Sequence, residues 1–127
     1  MLITVFRRRL KAGASFEDFI AAWQADQGFG VPARVFNAVS LDDEREILSV
    51  GFVDIEAADF EQLVADVSEQ EAVRHSRIAD VIEATELRAV YDVRTEHDFT
   101  GDPREIPIAS PDSLLALLAA EADPGSP

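Results

Sequence analysis

Apolar and polar positions along this chain repeat with two different periods, and the switches between them mark out its elements. Leu2–Leu10 has a period of two, with Leu2, Thr4, Phe6, Arg8 and Leu10 on one side and Ile3, Val5, Arg7 and Arg9 on the other. Both sets begin apolar, so the first half of this strand is expected to be covered on both faces, as a central strand is. Its second half carries three arginines into water or a cleft. After the turn Ala12-Gly13-Ala14, Ser15 offers a helix N-cap, with Glu17 and Asp18 in the first turn where the helix dipole favours them. Phe16, Phe19, Ile20 and Trp23 then recur at i, i+3, i+4 and i+7, which is one apolar stripe of a helix. Gly28 and Gly30 are expected to close it.

Residues 34–41 return to the strand period, with Val35, Asn37, Val39 and Leu41 on one side. The polar turn Asp42-Asp43-Glu44 leads into 46–55, the second arm of a hairpin. Gly51 within that arm predicts a bulge or close packing against the backbone. Residues 56–82 are helical, with Phe60, Leu63, Val64 and Val67 as a first stripe and Ser68 as a break or a fresh N-cap. Residues 86–96 form a last strand, with Leu87, Ala89, Tyr91 and Val93 on one face.

The order β-α-β-β-α-β predicts an α+β, ferredoxin-like fold: a four-stranded antiparallel sheet with both helices on one face. Two helices cover only one face of such a sheet, yet Val5, Val35, Val39, Ile47 and Val53 add up to more apolar strand surface than one face needs. A second copy of the sheet, packed face to face in a homodimer, is the economical cover. The folded domain is therefore assigned to residues 1–97. Residues 98–127 read as an extended arm with Pro and Gly, a short helix capped by Ser110 or Asp112 and bearing Leu114, Leu115, Leu117 and Leu118, and a disordered end.

Composition narrows the partners. The 127 residues carry a net charge of −14, which disfavours nucleic acid and anionic membranes alike. There is no cysteine and no apolar run near the ~20 residues a membrane helix needs. The charges of the N-terminus follow its apolar run, the reverse of a secretory signal, and a cytoplasmic location is expected. Two distant histidines without cysteine predict no metal site, and neither a phosphate loop nor a nucleophile elbow is present.

The element order, opened by VFRRRLKAGASFEDFIAAW and closed by ELRAVYDV, resembles the dimeric α/β-barrel superfamily, and within it the antibiotic-biosynthesis-monooxygenase-like group. The resemblance spans about the first three quarters of the chain, through element order. It implies a ligand site between the helices and the sheet of each subunit. The activities it brings include cofactor-free oxygenation of aromatic polyketides, polyketide cyclisation, lactone isomerisation and haem degradation. The haem-degrading branch relies on an Asn on the first strand, where this chain has Phe6 and Arg7, although Trp23 and His75 are present. That departure counts against haem, and no cofactor is expected.

Several residues are candidates for chemistry. His75 titrates near neutrality without help and stands at the edge of the apolar helix face, seven residues before Ile82. It is either the acid/base of a pocket or a boundary histidine bonded to a carboxylate such as Glu71. Phe6, Trp23, Phe52 and Tyr91 are the expected substrate-binding residues for an aromatic small molecule, with the loop Gly28-Phe29-Gly30 as a lid. The same aromatics serve equally as ordinary core. His97 is expected to be structural. Arg7 and Arg9 share a face and would meet carboxylates across a dimer. Arg8 on the other face would bind an acidic substrate group if it faces the helices, although ion pairing is the commoner role for arginines in so acidic a chain. The functional reading is a small cofactor-independent monooxygenase-like or cyclase-like enzyme. The alternative is a non-catalytic dimeric module that binds a small ligand or a protein.

Overall fold

The computed structural model describes residues 1–108. Strands β1 (Leu2–Leu10), β2 (Ala33–Val39), β3 (Glu46–Val53) and β4 (Ile82–Asp92) form one antiparallel sheet in the order β2-β3-β1-β4. Helices α1 (Phe16–Trp23) and α2 (Phe60–Ala79) lie on one face of it, α2 entered through a 3-10 turn at Ala57–Asp59. This is the ferredoxin-like α+β arrangement predicted from the periods. The leucine-bearing helix expected after Ser110 or Asp112, and the end beyond it, lie outside the described residues.

Residues paired across an antiparallel ladder share a face. The pairs Leu2↔Val53, Thr4↔Gly51, Phe6↔Ser49 and Arg8↔Ile47 therefore put the even positions of β1 under the helices. The core sits at one end of that layer, where Leu10, Phe19, Ile47 and Ile78 are fully buried and Phe16, Ile20, Trp23 and Val81 pack around them. Each such side chain contributes about 1.5–3 kcal/mol by leaving water. The odd face, with Ile3, Val5, Val50 and Phe52, carries no helix among the described residues. There Phe36, Leu48 and Tyr91 remain 46%, 37% and 54% exposed.

Four local expectations are resolved: three are corrected, and at Gly51 close packing holds and a bulge does not. First, α1 ends at Trp23, before Gly28, because Gln24 turns to φ −41°, ψ 127°. Arg77 of α2 donates from Nε to the Ala22 carbonyl at 3.1 Å and from Nη2 to that of Gln24, capping the helix end from outside. Second, Ser68 is neither break nor cap: α2 runs straight through it, and its hydroxyl donates back to the Ala65 carbonyl at 3.0 Å. Third, the pairing of β3 is unbroken at Gly51, and the tight feature there is close packing: a Cβ would stand 2.5 Å from Thr4 Oγ1. The irregularities lie in β4: Arg7 pairs with Leu87 and Arg8 with Thr85, leaving Glu86 as an extra residue, and Arg9 pairs with Ala84 and Leu10 with Ile82, leaving Glu83 as another. Fourth, the last strand of the sheet begins at Ile82 and stops at Asp92. The following segment, read as an extended arm, forms a small hairpin of β5 (Glu96–Asp98) and β6 (Arg104–Ile106) in which His97 pairs with Glu105.

The start of α1 is held as its sequence predicts. Asp18 N–H donates to Ser15 Oγ at 3.1 Å, and Ser15 N–H donates to Asp18 Oδ2 at 2.9 Å, a closed capping box. The helix has only eight residues and holds the fully buried Phe19, so little else fixes its entry. Ser15→Ala is expected to lower unfolding stability by about 1 kcal/mol, read as a shifted midpoint in urea with an unchanged slope.

Candidate functional site

Because α1 stops at Trp23, it covers only the core end of the sheet. At the other end the facing side chains are small or short: Thr4 on β1, Ser49 and Gly51 on β3, Ala72 on α2. The result is a cavity of about 360 Å³ between α2 and the sheet, a volume in the range of small-molecule sites. Its walls are apolar, with Phe60, Leu63, Val64 and Val67 from two turns of α2, and Val35 and Val53 from the sheet. Phe29 of the loop after α1 also lines it. That loop is tied to α2 by Gln70, whose Nε2 donates to the carbonyls of Gln27 and Gly28 at 3.4 and 3.2 Å.

The end nearest the core is polar. Arg8 is 4% exposed, its Nη1 reaching Ser49 Oγ at 3.5 Å and its guanidinium lying 4.2 Å over the Phe6 ring. The Ser49 hydroxyl donates to Asn37 Oδ1 at 2.6 Å, which leaves its oxygen lone pairs for Arg8. Arg74, 7% exposed, lies 4.8 Å over Trp23 and pairs through Nη2 with Glu71. His75 stands edge-on to Phe6 with ring centroids 5.7 Å apart. Its Nε2 is 3.4 Å from Glu71 Oε2, within ion-pairing distance but too poorly aligned to count as a hydrogen bond. Arg88 of β4 joins the group, 5.3 Å from the Phe6 ring.

Burial and charge act against each other here. Burial, with the neighbouring charges of Arg74 and Arg88, pushes the Arg8 pKa down to about 10, and Glu71 offsets only part of this. For Glu71 itself burial opposes ionisation. Its contacts with His75 and Arg74 outweigh that, and the carboxyl is held below the usual glutamate range. No three His, Asp or Glu side chains converge on a common point among the described residues.

The structure brings Phe6, Trp23 and His75 together in one cavity and places Phe29 of the expected lid on its wall. Both readings of His75 meet there, since it lines the cavity and also neighbours Glu71. Phe52 and Tyr91 are elsewhere. Both share the open face with Ile3, Phe52 packing edge-on against Phe36 at 5.9 Å. The three arginines divide as the alternation predicts. Arg9 meets Asp43 at 2.8 Å and Glu86 at 2.9 Å, and Arg7 meets Glu86 at 3.5 Å, so their carboxylates come from the same chain. Arg8 faces the helices. Sequence reasoning missed Arg74 and Ser49. The signal for Arg74 was present: Val67, Glu71, Arg74 and Ile78 continue one helical stripe, so two charged residues stand on the buried face.

No family model matches the chain, and no curated protein does. Two solved structures share the fold. One is from Chloroflexus aurantiacus J-10-fl and is provisionally named an antibiotic biosynthesis monooxygenase; it is 12% identical, with a TM-score of 0.55, over 76% of this chain and 96% of that one. The other is an uncharacterized NIPSNAP domain protein from Burkholderia xenovorans, 24% identical, with a TM-score of 0.50, over 74% of this chain and 95% of that one. The chain therefore has the fold of the antibiotic-biosynthesis-monooxygenase-like proteins that its element order resembles.

The depressed Glu71 carboxyl has a consequence for stability. A folded-state pKa below the ordinary value of 4.5 adds stability above that pH and loses it as pH falls through the folded value. Glu71→Gln is thus expected to melt on the order of a few degrees lower than the parent at pH 7. The gap should close when both are melted well below pH 4.5, once Glu71 itself is protonated.

Proposed function

We propose that the protein is a small cofactor-independent enzyme that takes an aromatic or polyketide-type molecule into this cavity and oxygenates or cyclises it. The observation that carries the reading is the position of His75: a titratable group on the wall of the cavity, between its apolar lining and its polar end, edge-on to Phe6 and with Glu71 alongside. The fold shared with a structure provisionally named an antibiotic biosynthesis monooxygenase supports the same choice.

In this scheme His75 removes a proton from an acidic C–H or phenolic O–H of the substrate. Glu71 meets the imidazolium that results. For oxygenation, the substrate carbanion then transfers an electron to dioxygen, the radical pair joins in a C–O bond, and loss of water converts a CH2 to a carbonyl. One oxygen atom enters the product and the other leaves as water. For cyclisation, the same carbanion attacks a carbonyl within the substrate and the proton returns to the new alkoxide. The apolar part of the lining reduces the water around either anion.

General-base catalysis contributes ~10²–10⁴-fold. His75→Ala is expected to lower kcat by at least about 100-fold while leaving substrate affinity within a factor of a few. Oxygen uptake or product formation is the readout, on anthrone- and phenol-type substrates. Turnover that survives the substitution removes His75 from the mechanism. Binding without any turnover in the parent protein favours the non-catalytic module.

The apolar open face supports a homodimer with the two sheets face to face. Val50→Arg puts a charge at the middle of that face, since Val50 pairs with both Phe36 and Val5. It is expected to convert a dimer of about twice the 13.9 kDa chain mass into a monomer, read by light scattering. A parent protein that is already monomeric ends this part of the reading.

A further inference from the structure

The polar end of the cavity holds more positive charge than it can satisfy. Arg8, Arg74 and Arg88 converge there with one carboxylate, Glu71, so three positive groups less one negative leave a local excess of two. Two of the three arginines are more than nine-tenths buried. Arg74 Nε and Nη1 are buried without a hydrogen-bond partner, and Arg8 has one long bond to Ser49 among the donors of its fork. Arg8 appears in none of the ion pairs among the described residues, in contrast to Arg7 and Arg9 on either side of it. Buried guanidinium donors left unpaired are costly, by several kcal/mol for an uncompensated charge. Arg8 lines the cavity with most of its fork unbonded among the described residues, so it is placed for a partner that enters it.

We propose that Arg8, backed by the charge of Arg74, forms a carboxylate-binding subsite, so that the ligand of this cavity is an aromatic or polyketide-type acid, held by its carboxylate at the core end with its apolar body along α2. The inference rests on the reading of the cavity as a small-molecule site and names the class of molecule it takes. A planar carboxylate matches the fork of a guanidinium, which Arg8 offers, while Arg74, with Nη2 on Glu71 and its other donors closed off, adds charge. Phe60, Leu63, Val64 and Val67 give the body of the acid its apolar wall. Arg88, also beside Phe6, adds charge without needing contact.

The molecule supplies its own reporter. Trp23 is the single tryptophan, it lines the cavity, and Arg74 lies over it, so its fluorescence responds to occupancy of this site. The experiment titrates the full chain at pH 7 with 1-naphthoate and with the matching neutral 1-naphthamide, and repeats both with Arg8→Met and Arg74→Gln. The expected result is tenfold or tighter binding of the acid than of the amide. Each substitution should weaken the acid at least tenfold and leave the amide unchanged. Arg8→Met without ligand should melt no lower than the parent, because an unpaired buried charge is replaced by an apolar side chain of similar length. A merely structural Arg8 predicts a lower melting temperature instead, and that result overturns the assignment. Equal binding of acid and amide overturns the carboxylate subsite and leaves the cavity as a ligand site. A preference for the acid that persists in both variants overturns the assignment to these arginines. No response to either compound removes both the subsite and the reading of the cavity on which it rests.

Discussion

Strand β1 is hydrogen-bonded along both edges, and its register decides which of its side chains meet the helices. With β3 on one side and β4 on the other, Thr4, Phe6 and Arg8 point into the cavity while Arg7 and Arg9 point away. A slip of one residue would exchange the two sets and bring two ion-paired arginines into the apolar layer. Several contacts fix the setting. Arg45 donates twice to the Leu10 carbonyl at 3.0 and 2.9 Å, and Val93 N–H closes the other end on the Met1 carbonyl at 3.0 Å. The extra residue at Glu86 then places its carboxylate between Arg7 and Arg9 on the opposite face.

Much of this was legible in the sequence, and the parts that were not share a cause. The alternation in β1 gave the two-faced central strand, and the stripe Phe16–Phe19–Ile20–Trp23 with the Ser15 cap gave α1 and its buried face. The end of α1 depends on Arg77, which approaches the Ala22 carbonyl from 55 residues away and leaves no local mark. The same is true of cross-strand register. Phe52 and Tyr91 were grouped with Phe6 as aromatic residues of neighbouring strands, but which face each one takes follows from pairings that period alone does not fix. Both faces of the sheet are apolar, so hydrophobicity could not break the tie.

The charge of the molecule is also distributed in a way that the total conceals. A chain of net charge −14 collects three guanidinium groups at one end of its cavity, the buried Arg8 and Arg74 and the exposed Arg88. Exposed ion pairs such as Arg9 with Asp43 are screened and add little. The buried groups are screened far less, so their fields persist across the cavity. Local environment, more than overall composition, determines what this interior attracts.

Helix α2 divides its labour along its length. Residues from Gln70 to Ile78 anchor the molecule: they hold the loop after α1, cap α1 itself, carry the charged cluster and end in the core. The two turns before them, with Phe60, Leu63, Val64 and Val67, do little except shape the cavity wall. Selection can therefore resculpt the compartment by substitutions in the first half of one helix while the half that maintains the architecture stays as it is. Diversification of what the protein accommodates is uncoupled from the risk of unfolding it.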